Sequence, residues 1–240
     1  VATGRPWTGV PEELRELPGM DYALTANGAR IIETRTGKVL EEHLLSKEAA
    51  KKAIAIGRKY DTLLEVYFNG KGYAQKDEIA QVRKYHKNPN MWDYFLRTRI
   101  AVDRLEDLLD EKEGDLDKVQ MLFADMEERE EAWKELEREG VFELVGSLQY
   151  NIEINAVGVN KGTGLVNLGK MLGIRREEIM ACGDGDNDIA MLKEVGFGVA
   201  MANAEEKVKA VADYITERNN DEGAAKAIEK FVLKRGGELC

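Results

Sequence analysis

Three aspartates stand within five residues in the stretch ACGDGDNDIAML, residues 181–192. Asp184, Asp186 and Asp188 carry like charges that repel one another, so their clustering needs a compensating group. An apolar run precedes the acids and an amphipathic run follows them. They therefore come at the carboxyl end of a predicted parallel strand, where open α/β sheets bind their ligands.

Several kinds of site use closely spaced acids or glycines, and most of them do not fit this stretch. An EF-hand loop that began at Asp184 would need glycine at its sixth position and glutamate at its twelfth. Ile189 and Val195 stand there, so an EF-hand is excluded. A dinucleotide-binding loop would need its third glycine where Asp188 stands. A helix cap would account for one acid but not for three. The remaining interpretation is a site for Mg²⁺, which takes one or two carboxylates and keeps waters or phosphate oxygens.

A lysine at the start of a predicted helix is the second unusual feature. Lys161 in NKGTG would face the positive end of the helix dipole, at a cost of roughly a few tenths of a kcal/mol. A solvated side chain is one interpretation. The other is an ammonium placed to stabilise negative charge on a phosphate. Thr3, followed by Gly4 at the end of a predicted strand, could donate a hydrogen bond to the same phosphate.

Strand and helix patterns alternate from Gly158 onward. Helices are predicted for KGTGLVNLGKMLG, ending at Gly173, and for NDIAMLKEVG, ending at Gly196. A third, NAEEKVKAVA, has Asn203 and Glu206 at capping-box spacing, and DEGAAKAIEKFVL is the last. The strands EIMAC, GVAM and DYIT lie between them. VAT and DYALTA, with the helical PEELREL between them, extend the pattern to the N-terminus. Near-continuous apolar strands predict a parallel sheet with helices on both faces.

The pattern changes between Ser46 and Asn155. A capped helix is predicted for SKEAAKKAIAIGRKY, and TLLEVYFNGKGYAQ reads as two strands around an Asn69-Gly70 turn. A strand, KVQMLFAD, and a helix, MEEREEAWKELERE, follow the charged stretch DRLEDLLDEKEGDLDK, which we expect to be solvated. We therefore predict an α/β fold. A doubly wound core (residues 1–45 and 156–240) carries an inserted α+β cap (residues 46–155).

The stretches ATGRP, TANGA, NKGTGL, EEIMACGDGDNDIAML, GVAMANA and DEGAAKAIEKFVL resemble the Cof-type haloacid dehalogenase-like hydrolases, especially their sugar-phosphate phosphatases. The resemblance implies a Rossmann-like core, a cap that closes over the substrate, and an aspartate nucleophile that forms a phosphoaspartate in the presence of Mg²⁺. Asp184 is then a Mg²⁺ ligand, and Asp188 is a ligand directly or through water. Lys161 screens the charge between nucleophile and phosphate.

The same resemblance implies that Asn187 contacts the phosphate region of the substrate and that Thr3, next to Gly4, binds a phosphate oxygen. Asn27 is a further candidate for the substrate site. Asn27-Gly28 is also typical of a plain hairpin turn, and we favour that structural interpretation about two to one. The cap aromatics Tyr67, Phe68, Trp92 and Tyr94 are specificity candidates by location only, and most are expected in the cap core.

One motif of the family is missing. No DxDGT sequence is present, and the pair Asp115–Asp117 precedes a strand with Lys118 in place of the glycine. In the family, the strand before that motif is central in the sheet. Without it, buried backbone groups on both neighbouring strands would lose their partners, at about 1–3 kcal/mol each. We therefore expect a longer chain whose nucleophile lies upstream of Val1.

Composition narrows the class of protein further. The 240 residues carry a net charge of −10, which argues against nucleic acid or an anionic membrane as the main partner. Cys182 and Cys240 have no metal or disulfide spacing, so we expect a cytoplasmic protein. We expect either a monomer or a homodimer. The favoured function is a Mg²⁺-dependent phosphatase of small phosphorylated metabolites. The alternatives are a phosphomutase of similar fold or, if Val1 is the true start, an inactive phosphate-binding protein.

Overall fold

Short N-terminal strands form an antiparallel sheet in the computed structural model, which describes residues 1–233. A short helix precedes the three strands, whose order is β1-β2-β3: α1 Glu12–Arg15, β1 Tyr22–Thr25, β2 Arg30–Glu33 and β3 Lys38–Glu42. VAT contributes only a parallel bridge from Ala2 to Leu24. The predicted strand DYALTA is present as β1, but its strand partner β2 is antiparallel, so beyond that bridge the expected extension of the parallel pattern to this strand is wrong.

The chain divides into two units, Val1–Asn160 and Lys161–Cys240. The first unit also contains a six-stranded sheet of order β6-β5-β4-β7-β9-β8. Only β5 and β6 pair in parallel; the other neighbours are antiparallel. The strands are β4 Thr62–Phe68, β5 Lys71–Gln75, β6 Arg99–Val102, β7 Lys118–Phe123, β8 Phe142–Val145 and β9 Asn151–Ala156.

Local signals in the sequence account for the ends of several elements here. The Ser46 hydroxyl accepts a hydrogen bond from the backbone of Ala49 and caps the predicted helix. The turn between β4 and β5 has φ 49° at Asn69 and 71° at Gly70, as the Asn-Gly pair predicts. The helices are α2 Lys47–Gly57, α3 Lys76–Ile79, α4 Val82–Tyr85, α5 Trp92–Thr98, α6 Leu105–Glu111 and α7 Met126–Glu139.

The two faces of the six-stranded sheet differ in chemistry because side chains alternate along each strand. One face belongs to an apolar core that also includes residues of α2, α6 and α7: Ile54, Leu64, Val66, Leu105, Met121, Leu136 and Ile154 are buried there. The other face carries buried polar side chains: Glu65, Tyr67, Lys118, Gln120 and Glu153. Tyr67 and Phe68 are buried as expected of cap core residues, whereas Trp92 and Tyr94 are half-buried.

The prediction that the charged stretch before β7 is solvated is wrong at its end. Asp117 and Lys118 are each 1% exposed. Arg30 donates to the Asp117 carboxylate over 2.6 Å, and Lys118 pairs with Glu153. A buried charge is tolerated when a partner of opposite charge and hydrogen bonds compensate it. Residues such as Asp110 and Glu111, earlier in the stretch, are exposed as expected.

The second unit follows the predicted alternation of helices and parallel strands. Its elements are α8 Lys161–Leu172, β10 Met180–Gly183, α9 Ile189–Glu194, β11 Phe197–Ala200, α10 Glu206–Lys209, β12 Tyr214–Ile215 and α11 Gly223–Phe231. The strands pair in parallel in the order β10-β11-β12. Gly173 has φ 69° directly after α8, as expected of a glycine that ends a helix.

Two local predictions in this unit are wrong. Gly196 does not end α9, whose C-terminal cap is Val195. A Cβ at Gly196 would lie 2.5 Å from the Cα atom of Glu177, so the glycine allows two backbone segments to pack closely. Asn203 does not cap α10, because the residue before that helix is Glu205 and no side chain caps it.

Together, the parallel strands with intervening helices and the mixed sheet that precedes them confirm the predicted α/β class with an inserted α+β cap. The cap boundaries at residues 46 and 155 stay a prediction. None of the helices within residues 1–233 has the length and apolar character needed to cross a lipid bilayer. Cys240 lies outside the described residues.

Candidate active site

The acidic stretch forms a tight loop after β10. A 3₁₀ turn, Asp186–Asp188, follows the strand and leads directly into α9. The backbone N–H of Asp188 donates to the carbonyl oxygen of Gly185 over 2.9 Å. A Cβ at Gly183 would lie 2.5 Å from the Cβ of Asp188, so only glycine permits this close approach at the end of the strand.

Asp188 closes the loop with its side chain. Its Oδ2 atom accepts hydrogen bonds from the backbone N–H groups of Asp184 and Gly185, both over 2.9 Å. Its Oδ1 atom lies 2.7 Å from the Nζ atom of Lys161. Hydrogen bonds from an ammonium and two amides stabilise the ionised carboxylate. This network compensates one of the three clustered charges.

Lys161 is the first residue of α8 and is 6% exposed. The interpretation of Lys161 as a solvated side chain is therefore wrong. Burial of an ammonium is costly unless it is paired, and the Asp188 carboxylate provides the partner. The ion pair outweighs the unfavourable position of a lysine at the positive end of the helix dipole.

The other two aspartates of the loop have different partners. Asp186 pairs with Lys207, a half-exposed residue of α10. Asp184 is exposed, and its Oδ2 atom accepts a hydrogen bond from Nδ2 of Asn203 over 3.0 Å. Sequence reasoning missed this role because the spacing of Asn203 and Glu206 indicated a capping box. The position of Asn203, just after a parallel strand, was the available signal.

Asn187 lies within this acidic loop, and Cys182 lies in the strand that precedes it. Asn187 is a buried residue of the 3₁₀ turn, adjacent to Asp188. Cys182 is a half-buried free thiol in β10. Burial raises the pKa of the Cys182 thiol, which keeps it protonated near neutral pH. The thiol is therefore a poor candidate for a nucleophile.

Three further candidate residues, Thr3, Gly4 and Asn27, lie together in the first unit. Thr3 Oγ1 accepts a hydrogen bond from the backbone of Arg5 over 3.1 Å. The Asn27 backbone N–H donates to the carbonyl oxygen of Thr3 over 3.0 Å. A Cβ at Gly4 would lie 2.8 Å from Oε2 of Glu153 and 3.0 Å from Oδ1 of Asn27.

The hairpin turn predicted at Asn27-Gly28 is present between β1 and β2, but it is not a plain turn. Asn27 is fully buried, with φ 63°, and its Nδ2 atom donates to Glu153 Oε2 over 2.7 Å and to Asn155 Oδ1 over 3.0 Å. Asparagine tolerates this left-handed conformation better than most residues. The turn is therefore anchored to β9 by the Asn27 side chain.

Glu153 is a buried carboxylate beside Gly4 that sequence reasoning did not single out. It accepts hydrogen bonds from Asn27, Lys118 and Ser147. Burial favours the neutral form, yet the Lys118 ammonium and these hydrogen bonds hold the pKa of Glu153 below its ordinary value. Only the alternation within NIEINA could have indicated that Glu153 lies on the polar face of the sheet.

The carboxylate oxygens of the acidic loop fit a hard cation that needs few protein ligands. Asp184 exposes its carboxylate, whereas both oxygens of Asp188 already accept hydrogen bonds. Within residues 1–233, no group of three or more acidic, histidine or cysteine side chains is arranged to hold a metal ion, so a cation here would have at most two such ligands from the protein. Mg²⁺ typically takes one or two carboxylates and completes its shell with waters and substrate phosphates. The loop therefore suits Mg²⁺.

Comparison with known proteins identifies relatives in Bacillus subtilis. The chain is 49% identical over 105 residues to 5-amino-6-(5-phospho-D-ribitylamino)uracil phosphatase YcsE, a match that covers 44% of this chain and 42% of that protein. It is 29% identical over 249 residues to phosphatase YwpJ, covering 97% of this chain and 87% of that one. The first of these matches thus spans less than half of the relative's length.

Solved structures with the same fold cover nearly the whole chain. A haloacid dehalogenase-like hydrolase from B. subtilis superposes with a TM-score of 0.85 at 27% identity, covering 97% of this chain and 87% of that one. A sugar phosphatase of HAD subclass IIB superposes with a TM-score of 0.76 at 26% identity, covering 96% and 84%. The family model of the haloacid dehalogenase-like hydrolases matches residues 1–228. This chain is therefore a member of the haloacid dehalogenase-like hydrolase family.

Proposed function

We propose that this protein is a Mg²⁺-dependent phosphomonoester hydrolase. Its substrates are small phosphorylated metabolites such as sugar phosphates, and the reaction passes through a phosphoaspartate intermediate. The observation that carries the proposal is the buried ion pair between Lys161 and Asp188, which closes the acidic loop and leaves the Asp184 carboxylate exposed. The phosphatase names of YcsE and YwpJ support the same reaction class.

Asp184 and Asp188 would hold Mg²⁺ in different ways. Asp184 is the direct ligand, since its carboxylate is exposed and hydrogen-bonded to the neutral amide of Asn203. Asp188 would act through water, because its two oxygens accept hydrogen bonds from Lys161 and from backbone amides. When bound, Mg²⁺ supplies positive charge opposite the oxygens of the transferring phosphoryl group.

Lys161 and Asn187 act next to the metal ligands. The Lys161 ammonium is a point charge that lowers the repulsion between an anionic nucleophile and a phosphate. Its pairing with Asp188 holds the ammonium at one position before substrate arrives. Asn187, adjacent in the 3₁₀ turn, contacts the phosphate region of the substrate.

We further propose substrate-binding roles for Thr3, Gly4 and Asn27. The Thr3 hydroxyl donates a hydrogen bond to a phosphate oxygen. Gly4 leaves the backbone next to Thr3 free of a side chain. Asn27 lines the substrate site from its buried turn. The hydrogen bond from Asn27 to Glu153 fixes the position of the turn, and the absence of a side chain at Gly4 allows the Glu153 carboxylate to lie close to the backbone.

Phosphate release from p-nitrophenyl phosphate and from a panel of sugar phosphates by the full-length protein tests the proposal. We expect release that requires Mg²⁺, stops on chelation and is abolished by Asp184→Ala. Lys207→Met removes a partner of Asp186 and should retain activity. Isomerised sugar phosphate without free phosphate would instead indicate a phosphomutase. Binding of vanadate or inorganic phosphate without any turnover would instead indicate an inactive binding protein.

A further inference from the structure

Asn203 links the loops that follow the three parallel strands of the second unit. It follows β11, and its Nδ2 atom donates to Oδ2 of Asp184 after β10 over 3.0 Å. Its Oδ1 atom accepts from the backbone N–H of Asn219, after β12, over 2.8 Å. Because both ends of the amide are engaged, the side chain has one orientation, in which its donor faces Asp184.

The partner of Asp184 differs in charge from the partners of its two neighbours. Asp188 pairs with Lys161, and Asp186 pairs with Lys207. Within residues 1–233, Asp184 forms no ion pair, and its hydrogen-bond donor is an amide. A cationic donor would orient a carboxylate and also cancel its charge, whereas an amide orients it and leaves the charge in place.

We propose that Asn203 is a positioning residue that holds the Asp184 carboxylate in the orientation needed to bind a divalent cation. The inference depends on the proposed role of Asp184 as the direct metal ligand. Hydrogen-bond partners of metal-binding carboxylates fix the geometry of the ligand, and their removal typically weakens metal affinity. The anchor from Asn203 to Asn219 makes this geometry depend on the loop after β12.

Direct metal binding tests the role of Asn203 without relying on catalysis. Mn²⁺, followed by electron paramagnetic resonance, replaces Mg²⁺ as the probe and is titrated into the full-length protein without substrate. Asn203→Leu keeps the size of the side chain but removes both hydrogen bonds. We expect it to weaken Mn²⁺ binding by about tenfold or more, and Asp184→Ala to weaken it further.

Two further variants control for a general loss of structure in Asn203→Leu. Lys207→Met removes the ion pair to Asp186 in the same loop and should not weaken Mn²⁺ binding. Asn203→Ser retains a short hydroxyl donor and should recover part of the affinity lost in Asn203→Leu. In the hydrolysis assay, Asn203→Leu should raise the Mg²⁺ concentration for half-maximal rate more than it lowers kcat at saturating Mg²⁺.

The outcomes separate this inference from the proposed function. Wild-type Mn²⁺ affinity in Asn203→Leu, or absence of Mn²⁺ binding in the wild-type protein, would overturn the positioning role. Equal weakening in Asn203→Leu and Lys207→Met would overturn it as well, because the effect would then not be specific to Asp184. Mn²⁺ binding that depends on Asp184 and Asn203 in a protein that releases no phosphate would refute only the hydrolase activity.

Discussion

Lys161 and Asp188 form a buried ion pair in which 2.7 Å separates Nζ from Oδ1. The side chains are 8% and 9% exposed, so water contributes little to the solvation of either charge. Removal of one partner would leave the other charge buried and uncompensated. The pair therefore couples the stability of the second unit to the geometry of its acidic loop.

Replacement of Lys161 by methionine should destabilise the protein by about 3–5 kcal/mol, because the Asp188 carboxylate would lose its buried counter-charge. Urea unfolding followed by circular dichroism measures the change. Lys207→Met is the matched control, since the Lys207 side chain is 54% exposed and surface pairs contribute roughly 0–1 kcal/mol. Similar small losses in the two variants would contradict the importance of the buried pair.

Two glycines of α8 should respond differently to replacement by alanine. A Cβ at Gly162 would lie 2.7 Å from the carbonyl oxygen of Ala190, which belongs to the backbone of α9. A Cβ at Gly169 would lie 2.8 Å from Cδ1 of Ile179, the flexible end of a side chain, and 3.2 Å from the nearest backbone atom, the carbonyl oxygen of Ile174. We expect Gly162→Ala to cost about 1–3 kcal/mol through overpacking.

Gly169→Ala should cost less than Gly162→Ala, since Ile179 can move and alanine gains about 1 kcal/mol of helix propensity. The difference between the two free energies of unfolding, measured under the same conditions, is the test. If Gly162→Ala were as stable as Gly169→Ala, the close backbone approach of α8 and α9 would not limit packing.

The turn at Asn27 allows backbone and side-chain effects to be separated. Its φ of 63° is unfavourable for alanine, and the hydrogen bonds from its side-chain amide to Glu153 and Asn155 are buried. Both Asn27→Ala and Asn27→Gly remove these hydrogen bonds, but only glycine relieves the backbone strain. We expect Asn27→Ala to be the less stable variant by about 1–2 kcal/mol in thermal or urea unfolding. Equal stabilities would argue against the left-handed conformation.

The loss of folding stability at acidic pH should depend on His86. Burial lowers the pKa of its imidazole below the ordinary value of 6.5. A hydrogen bond joins its Nδ1 atom to the phenolic oxygen of Tyr150. The unfolded chain therefore takes up a proton at a higher pH than the folded protein does. The resulting stability is present above the unfolded pKa and is lost as the pH falls through the folded value.

The comparison of wild type with His86→Gln between about pH 8 and about pH 5 tests this dependence. The wild-type protein should lose more of its free energy of unfolding over that interval than the variant does. The carboxylates titrate in both proteins, so their contribution cancels in the difference. Parallel losses in the two proteins would show that His86 does not contribute to acid sensitivity.

Elements with strong local signals could be predicted from the sequence alone. The Ser46 cap, the Asn69-Gly70 turn and the end of α8 at Gly173 depend on neighbouring residues in the chain, so residue type indicates them directly. Gly196 and Asn203 have equally suggestive spacings, but their roles depend on contacts with Glu177 and Asp184. A local pattern cannot distinguish a helix end from a close approach of two distant segments.

The sequence by itself determined the alternation of strands and helices and the placement of Asp184 and Asp188 after a parallel strand, because periodicity and residue type are local properties. Only the tertiary structure decided which charges are paired. Lys161 meets Asp188 across 27 residues, and Asn27 meets Glu153 across 126. Such contacts form when packing removes both groups from water, and their strength depends on burial and distance, which the order of residues along the chain does not specify.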